Sequence, residues 1–284
     1  MTLIFISRKV VISPNNQLVL NQNFRKNDYF YVAMQKYKEI YQNIVDHKST
    51  KTKLLAILLD PDKIDWSQFD TLVDQINNSP ATHVFIGGSL VFSSRIDELI
   101  LRLKAQIQLP ILLFPGDPSQ ISKKADGILF LSLVSGRNPD FLIGHQVKSA
   151  PILKSSGLEI IPTAYILIES GGQTAVERVS QTKPIAREQH ELVVATAMAS
   201  EMMGSKMVYL EAGSGAKCAV PTSLVKNVVT NVDIPVIVGG GITSANEINE
   251  MYAAGADLVV IGTAFENDYR FFEHFQNELN IKTL

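Results

Sequence analysis

Eight short apolar runs punctuate the chain from Leu54 onward: Leu54–Leu59, His83–Ile86, Ile111–Phe114, Gly127–Leu131, Ile160–Leu167, Met207–Leu210, Val236–Val238 and Leu258–Ile261. Runs of this length that stay apolar, rather than alternating, suit parallel strands covered on both faces. Amphipathic stretches lie between them and predict helices over Trp66–Asn77, Val91–Gln108, Pro139–Ser155, Glu188–Met203, Pro221–Thr230, Ala245–Ala254 and Ala264–Leu279. Asn138-Pro139 and Ser244 supply helix-start signals. Strands and helices in strict alternation predict an α/β fold, a closed TIM (βα)8 barrel rather than an open sheet.

The pattern contains an internal echo. Pro110-Ile-Leu-Leu-Phe-Pro-Gly116 leads to Ala125-Asp126, as Pro235-Val-Ile-Val-Gly-Gly-Gly241 leads to Ala256-Asp257. The second pair stands six positions further apart than the first. The third helix is therefore expected to be shortened or missing, leaving a gap in the helical ring. An apolar wall beside such a gap can admit a long hydrocarbon chain. Residues 1–33 show no sustained period and read as a poorly ordered N-terminal extension, with the barrel domain over 34–284. The polar stretch from Glu169 to Arg187, after the fifth strand, has the length of a lid or partner contact.

Composition narrows the classes. With 46% apolar and 19% charged residues in 284, the chain suits one domain with a large core. A net charge of −2 argues against a general nucleic-acid surface. A single cysteine, Cys218, excludes an intrachain disulfide and fits a reducing cytoplasm. Cys218 has no histidine near it in sequence, which favours a loop residue over a nucleophile. No apolar run is long enough to span a bilayer. The five histidines show no metal-ligand spacing and read as structural or exposed.

The candidate chemistry lies at the strand ends. Three strand-then-glycine units close the chain: Tyr209-Leu210-Glu211-Ala212-Gly213-Ser214-Gly215, then Gly239-Gly240-Gly241, then Gly262-Thr263. Glycine lets backbone N–H groups approach an anion closely. Loops after the last strands of such a barrel commonly hold a phosphate. Each loop alone is a weak signal, because glycine often simply ends a strand; their succession points to a phosphorylated ligand. Tyr209 and Glu211 alternate with Leu210 and so share a face. Glu211 beside a bound alcohol is the candidate general base. At the first strand's end, Asp60 is a candidate Mg²⁺ ligand, although loop capping is the ordinary role of such an Asp. Gly87-Gly88 can bring Ser89 beside it as a second metal contact. Arg137 and Lys63 are candidates for a second anionic group, or for the surface.

Together these motifs resemble the geranylgeranylglyceryl phosphate synthase family, which also holds bacterial heptaprenylglyceryl phosphate synthases. The resemblance rests on Leu59-Asp-Pro-Asp-Lys63, Ile86-Gly-Gly-Ser89, Ser135-Gly-Arg-Asn-Pro-Asp-Phe-Leu-Ile-Gly144, Tyr209 to Gly215, Val238-Gly-Gly-Gly-Ile242 and Gly262-Thr263, covering about residues 34–280. It implies a Mg²⁺-dependent prenyltransferase joining sn-glycerol 1-phosphate to a polyprenyl diphosphate as an ether. By that match Asp60 and Ser89 bind Mg²⁺. Tyr209, Leu210, Glu211, Ala212, Gly213, Ser214, Gly215, Gly239, Gly240, Gly241, Gly262 and Thr263 hold glycerol phosphate. The family's third helix is replaced by an irregular strip, in agreement with the spacing. The heptaprenyl branch carries a lysine two residues before the metal-binding Asp; here that position is Leu58, which favours a geranylgeranyl donor. A homo-oligomer and a transient contact of the lipid product with a membrane surface are expected on the same ground. A phosphosugar isomerase, aldolase or synthase on the same barrel is the alternative. It would use the phosphate loops without an apolar groove. A non-catalytic phosphate-binding protein is the third reading.

Overall fold

The computed structural model describes residues 10–12, 18–20, 39–88, 95–275 and 279. The chain divides into two compact units, Met1–Glu39 and Ile40–Leu284. The first contains β1 (Val10–Ile12) paired antiparallel with β2 (Leu18–Leu20). A short antiparallel strand pair thus stands where the sequence showed no sustained period.

The second unit is a closed barrel of parallel strands: β3 (Leu54–Leu59), β4 (His83–Ile86), β5 (Ile111–Leu113), β6 (Gly127–Leu133), β7 (Glu159–Leu167), β8 (Met207–Glu211), β9 (Val236–Gly239) and β10 (Leu258–Ile261). β10 pairs with β3 and closes the cylinder. The apolar runs resolve into two cores because successive side chains point to opposite faces. Leu54, Ala56, Phe85, Leu112, Tyr209 and Ile237 fill the interior. Leu55, Ile57, Leu59, Val208, Leu210 and Val238 pack outward against the helices. α1 (Ile40–Thr50) sends Ile40 and Ile44 into the interior cluster. Its first amides donate to Glu159, Ile40 at 2.7 Å and Tyr41 at 3.0 Å. A helix start with unpaired N–H groups is thereby satisfied by a carboxylate from β7.

The ring comprises α2 (Phe69–Asn78), α3 (Ile96–Lys104), α4 (His145–Lys154), α6 (His190–Met202), α7 (Thr222–Asn231) and α8 (Ala245–Ala253). A short α5 (Ala175–Ser180) lies in the 169–187 connection, and α9 (Thr263–Asn267) follows β10. No helix follows β5: the connection holds only a 3-10 turn, Pro118–Gln120, as the shortened spacing predicts. Pro115 and Pro118 withhold the amide donors a helix needs. Asp117 accepts from Ser119 N at 2.6 Å, and buried Gln120 ties the strip to the β4 loop by donating to Gly88 O at 3.0 Å.

The echo is a real correspondence. Asp126 accepts from Ile111 N at 2.8 Å, and Asp257 from Val236 N at 2.9 Å. Each also meets a lysine, Lys104 at 2.5 Å and Lys48 at 3.2 Å. The last predicted helix is a correction. α9 ends at Asn267, because Asp268 turns extended and its side chain accepts from Arg270 N at 3.0 Å. Phe271 and Phe272 are buried all the same, in turns rather than on a helix face. The helix expected from Pro139 opens with a π-helical turn over Asp140–Gly144, with Asn138 accepting from Asp140 N at 3.0 Å. No described helix is long and apolar enough to cross a membrane.

Candidate active site

The C-terminal ends of the strands surround a cavity of about 340 Å³. β8 brings Tyr209 and Glu211 to it on alternate residues, as the pattern predicts. Glu211 is buried, and its Oε1 accepts from Gly213 N at 2.6 Å. Burial pushes its pKa up to about 7, against the opposing pull of the Gly213 amide and of the Tyr209 and Tyr165 hydroxyls. Tyr209 stacks on Phe114 with centroids 5.3 Å apart and lies 5.4 Å from the Tyr165 ring. Its hydroxyl is buried and makes no hydrogen bond of standard geometry among the described residues. It faces Glu211 closely enough to oppose the carboxyl's shift, so an arriving hydroxyl would find a polar group without a full partner.

The glycine loops converge as expected. Gly213, Ser214, Gly215, Gly240, Gly241, Gly262 and Thr263 all line the cavity. Gly240 and Gly241 have φ of +82° and +69°. A Cβ on Gly240 would stand 2.3 Å from Glu211 Oε1, so that loop passes directly over the carboxyl. Ser214 and Thr263 hydroxyls lie 3.5 Å apart and join two of the loops. Three residues of the expected set are not brought to the cavity. Leu210 and Ala212 point outward into the helix-facing core. Gly239 is instead the space into which the Tyr209 hydroxyl fits, 2.3 Å from where a Cβ would be. Backbone alternation explains Leu210; the phosphate-loop reading made no distinction between amide and side chain.

Across the mouth, Asp60 ends β3 and accepts from Asp62 N at 3.1 Å through Oδ1. A Cβ on Gly88 would lie 3.0 Å from its Oδ2, so glycine keeps open the space beside the carboxylate. That opening beside a carboxylate suits Mg²⁺, a hard cation that keeps waters and completes its shell with substrate phosphates. Among the described residues no cluster of three acids, histidines or cysteines exists that would form an all-protein cage. Ser89 lies outside the described residues. Lys63, left open in the sequence, sits between Glu266 at 2.9 Å and Asp60 at 3.5 Å. Glu266 also accepts from Asp60 N at 2.8 Å, a role no motif signalled. Arg137 does not reach an anion: its guanidinium donates to Val134 O and Gly136 O. His83 is buried and its pKa is pushed down to about 4, a neutral structural ring. Cys218 lies 3.7 Å from Ser170 O, a loop contact.

An apolar cavity adjoins the mouth. It is lined by Phe130, Leu131, Phe141 and Val179 and by the strip Pro115–Pro118 that stands where the third helix is missing. Gly88, Phe114, Tyr165 and Val176 line both cavities. Tyr165 was not found from the sequence; its place two residues after Thr163 and two before Leu167 on β7 put it on the inward face, a signal present but not specific.

Comparisons with known proteins agree with this geometry. The model of the PcrB family matches residues 47–280. A geranylgeranylglyceryl phosphate synthase of Flavobacterium johnsoniae is 61% identical over 234 residues, covering 82% of this chain and 96% of that protein. One of Zunongwangia profunda is 47% identical, covering 81% and 97%. The crystal structure of (S)-3-O-geranylgeranylglyceryl phosphate synthase from Thermoplasma acidophilum, in complex with sn-glycerol-1-phosphate, superposes with a TM-score of 0.80. It is 32% identical and covers 86% of this chain and 99% of its own. Barrel, glycine loops and sequence together make this chain a member of the PcrB family.

Proposed function

We propose that this protein joins sn-glycerol 1-phosphate to geranylgeranyl diphosphate through an ether bond. One observation carries the reading: a polar mouth ringed by glycine loops opens into an apolar cavity where the third helix is missing. A phosphorylated sugar would use only the first. The relatives' names and the glycerol phosphate bound in the Thermoplasma acidophilum structure support the same assignment.

The chain's own groups supply the chemistry. Loop amides from Gly213–Gly215, Gly240–Gly241 and Gly262–Thr263 hold the acceptor's phosphate and so fix its hydroxyl near Glu211 and Tyr209. The hydroxyl oxygen bonds to the allylic carbon of the donor as the carbon–oxygen bond to diphosphate breaks. Glu211 takes the hydroxyl proton, and a pKa near 7 suits a base that must alternate between two states. Asp60 would hold Mg²⁺, which neutralises charge on the departing diphosphate. Lys63 and Glu266 fix the Asp60 loop. The test is incubation with glycerol 1-phosphate and donors of graded length, in matched buffers with Mg²⁺ and with chelator, followed by mass analysis of extracted lipid. An ether product made only from glycerol 1-phosphate, and not from its 3-phosphate isomer, is expected. Turnover of a soluble phosphosugar with no lipid product would overturn the reading, and equal turnover in chelator would remove Mg²⁺ from it.

A further inference from the structure

The charges around the mouth do not balance for a site that takes two anions. Five charged side chains line it: Asp60, Glu211 and Glu266 against Lys63 and Arg178. Lys63 is already held between Asp60 and Glu266. Among the described residues, the Arg178 guanidinium has no ion pair and no hydrogen bond. Of the described residues at this rim, it is therefore the uncommitted cation.

Arg178 stands on α5, and the helix is fixed at both ends. At its start Thr174 and Glu177 form a reciprocal capping box. Thr174 also presses on the phosphate loop, since a Cβ on Gly213 would come within 2.3 Å of its methyl group. At its end Ser180 O accepts from Asn138 Nδ2 at 2.8 Å. Between these anchors the side chains divide by chemistry. Val179 lines the apolar cavity, Val176 lines both cavities, and Arg178 lines the mouth. One helical turn thus spans the border between an apolar compartment and a polar one.

We propose that Arg178 binds the diphosphate of the prenyl donor, with Val176 and Val179 covering the first part of the tail. The inference rests on the prenyltransferase reading and names a residue that reads the donor. The acceptor's phosphate is served by amides of the loops after β8, β9 and β10; among the described residues, the donor's head is left with Asp60, through the cation it would hold, and with a lysine spent on two carboxylates. A guanidinium offers planar, paired donors that match phosphate oxygens. The position of Arg178 beside Val176, whose side chain meets both cavities, puts that charge where head and tail join.

The experiment uses Arg178→Gln and Arg178→Lys in the full chain, with thermal melts to confirm that each folds. In steady-state assays, Arg178→Gln should raise KM for the donor about ten- to hundredfold, the range for losing a charged hydrogen bond. KM for glycerol 1-phosphate should stay within about threefold of wild type, and Arg178→Lys should recover part of the loss. Independently of turnover, inorganic pyrophosphate affinity measured by calorimetry without divalent ions should fall in Arg178→Gln by a similar factor. Unchanged pyrophosphate affinity, or a rise confined to the acceptor's KM, would overturn the assignment. A wild-type protein that makes no ether lipid yet loses pyrophosphate binding in Arg178→Gln would sink the prenyltransferase reading while leaving the anion contact standing.

Discussion

Glu211 shows how one residue carries opposed demands. Its carboxyl is buried against Tyr209, Tyr165 and the Gly240 backbone, and burial raises its pKa from 4.5 to about 7. A raised carboxyl pKa favours the protonated form in the fold. The stability it contributes is thus full below about pH 4.5 and lost as pH rises through about 7. The proposed role runs the other way, because a base must be ionised. The kcat/KM profile is expected to climb with a midpoint near pH 7, read beside an acceptor-binding profile that isolates the phosphate's own ionisation. Glu211→Gln keeps an acceptor for Gly213 N–H and removes the buried charge. It should melt no lower than wild type at pH 8, and should lose about 10²- to 10⁴-fold in turnover. Near-normal turnover would take Glu211 out of the base's role. The Tyr209-Leu-Glu211 alternation made this residue legible, since a strand has only two faces. Glu266 was not legible, because its contact is with Asp60, about 200 positions away, and the place proposed for Arg178 depends on which rim the fold brings its helix to.

At the level of elements, the strands were readable almost to the residue because burial on both faces demands continuous apolar runs. The β5–β6 connection was readable too, from a spacing too short for a helix. The final helix was not, because Phe265, Phe271, Phe272 and Phe275 have helical spacing whether they pack from a helix or from turns. Asn267 and Asp268 were the local signal that a turn wins there. The strip after β5 also sets a prediction. Ile121 borders the apolar cavity at the place a helix would occupy. Ile121→Trp should fill that space, depressing kcat/KM several-fold more for a geranylgeranyl donor than for a geranyl one. Equal losses for both, in parallel assays, would mean that the tail does not pass this point.

For the molecule as a whole, stability and chemistry occupy opposite ends of the barrel. The paired carboxylates Asp126 and Asp257 sit where their strands begin, each binding a backbone amide and a lysine. Asp257→Asn should lower the free energy of unfolding by about 1–3 kcal/mol, the scale of a charged hydrogen bond. Denaturant titration would register this, with KM for both substrates unchanged. The missing helix has a consequence for the catalytic cycle. A tail of about twenty carbons seated there gains about 0.8 kcal/mol for each buried methylene, on the order of 10 kcal/mol in gross terms. The finished ether lipid keeps that tail, so its residence time, rather than bond formation, should limit the steady state. Anionic vesicles offering the product somewhere to partition should then raise kcat while leaving the first, pre-steady-state turnover at the same rate.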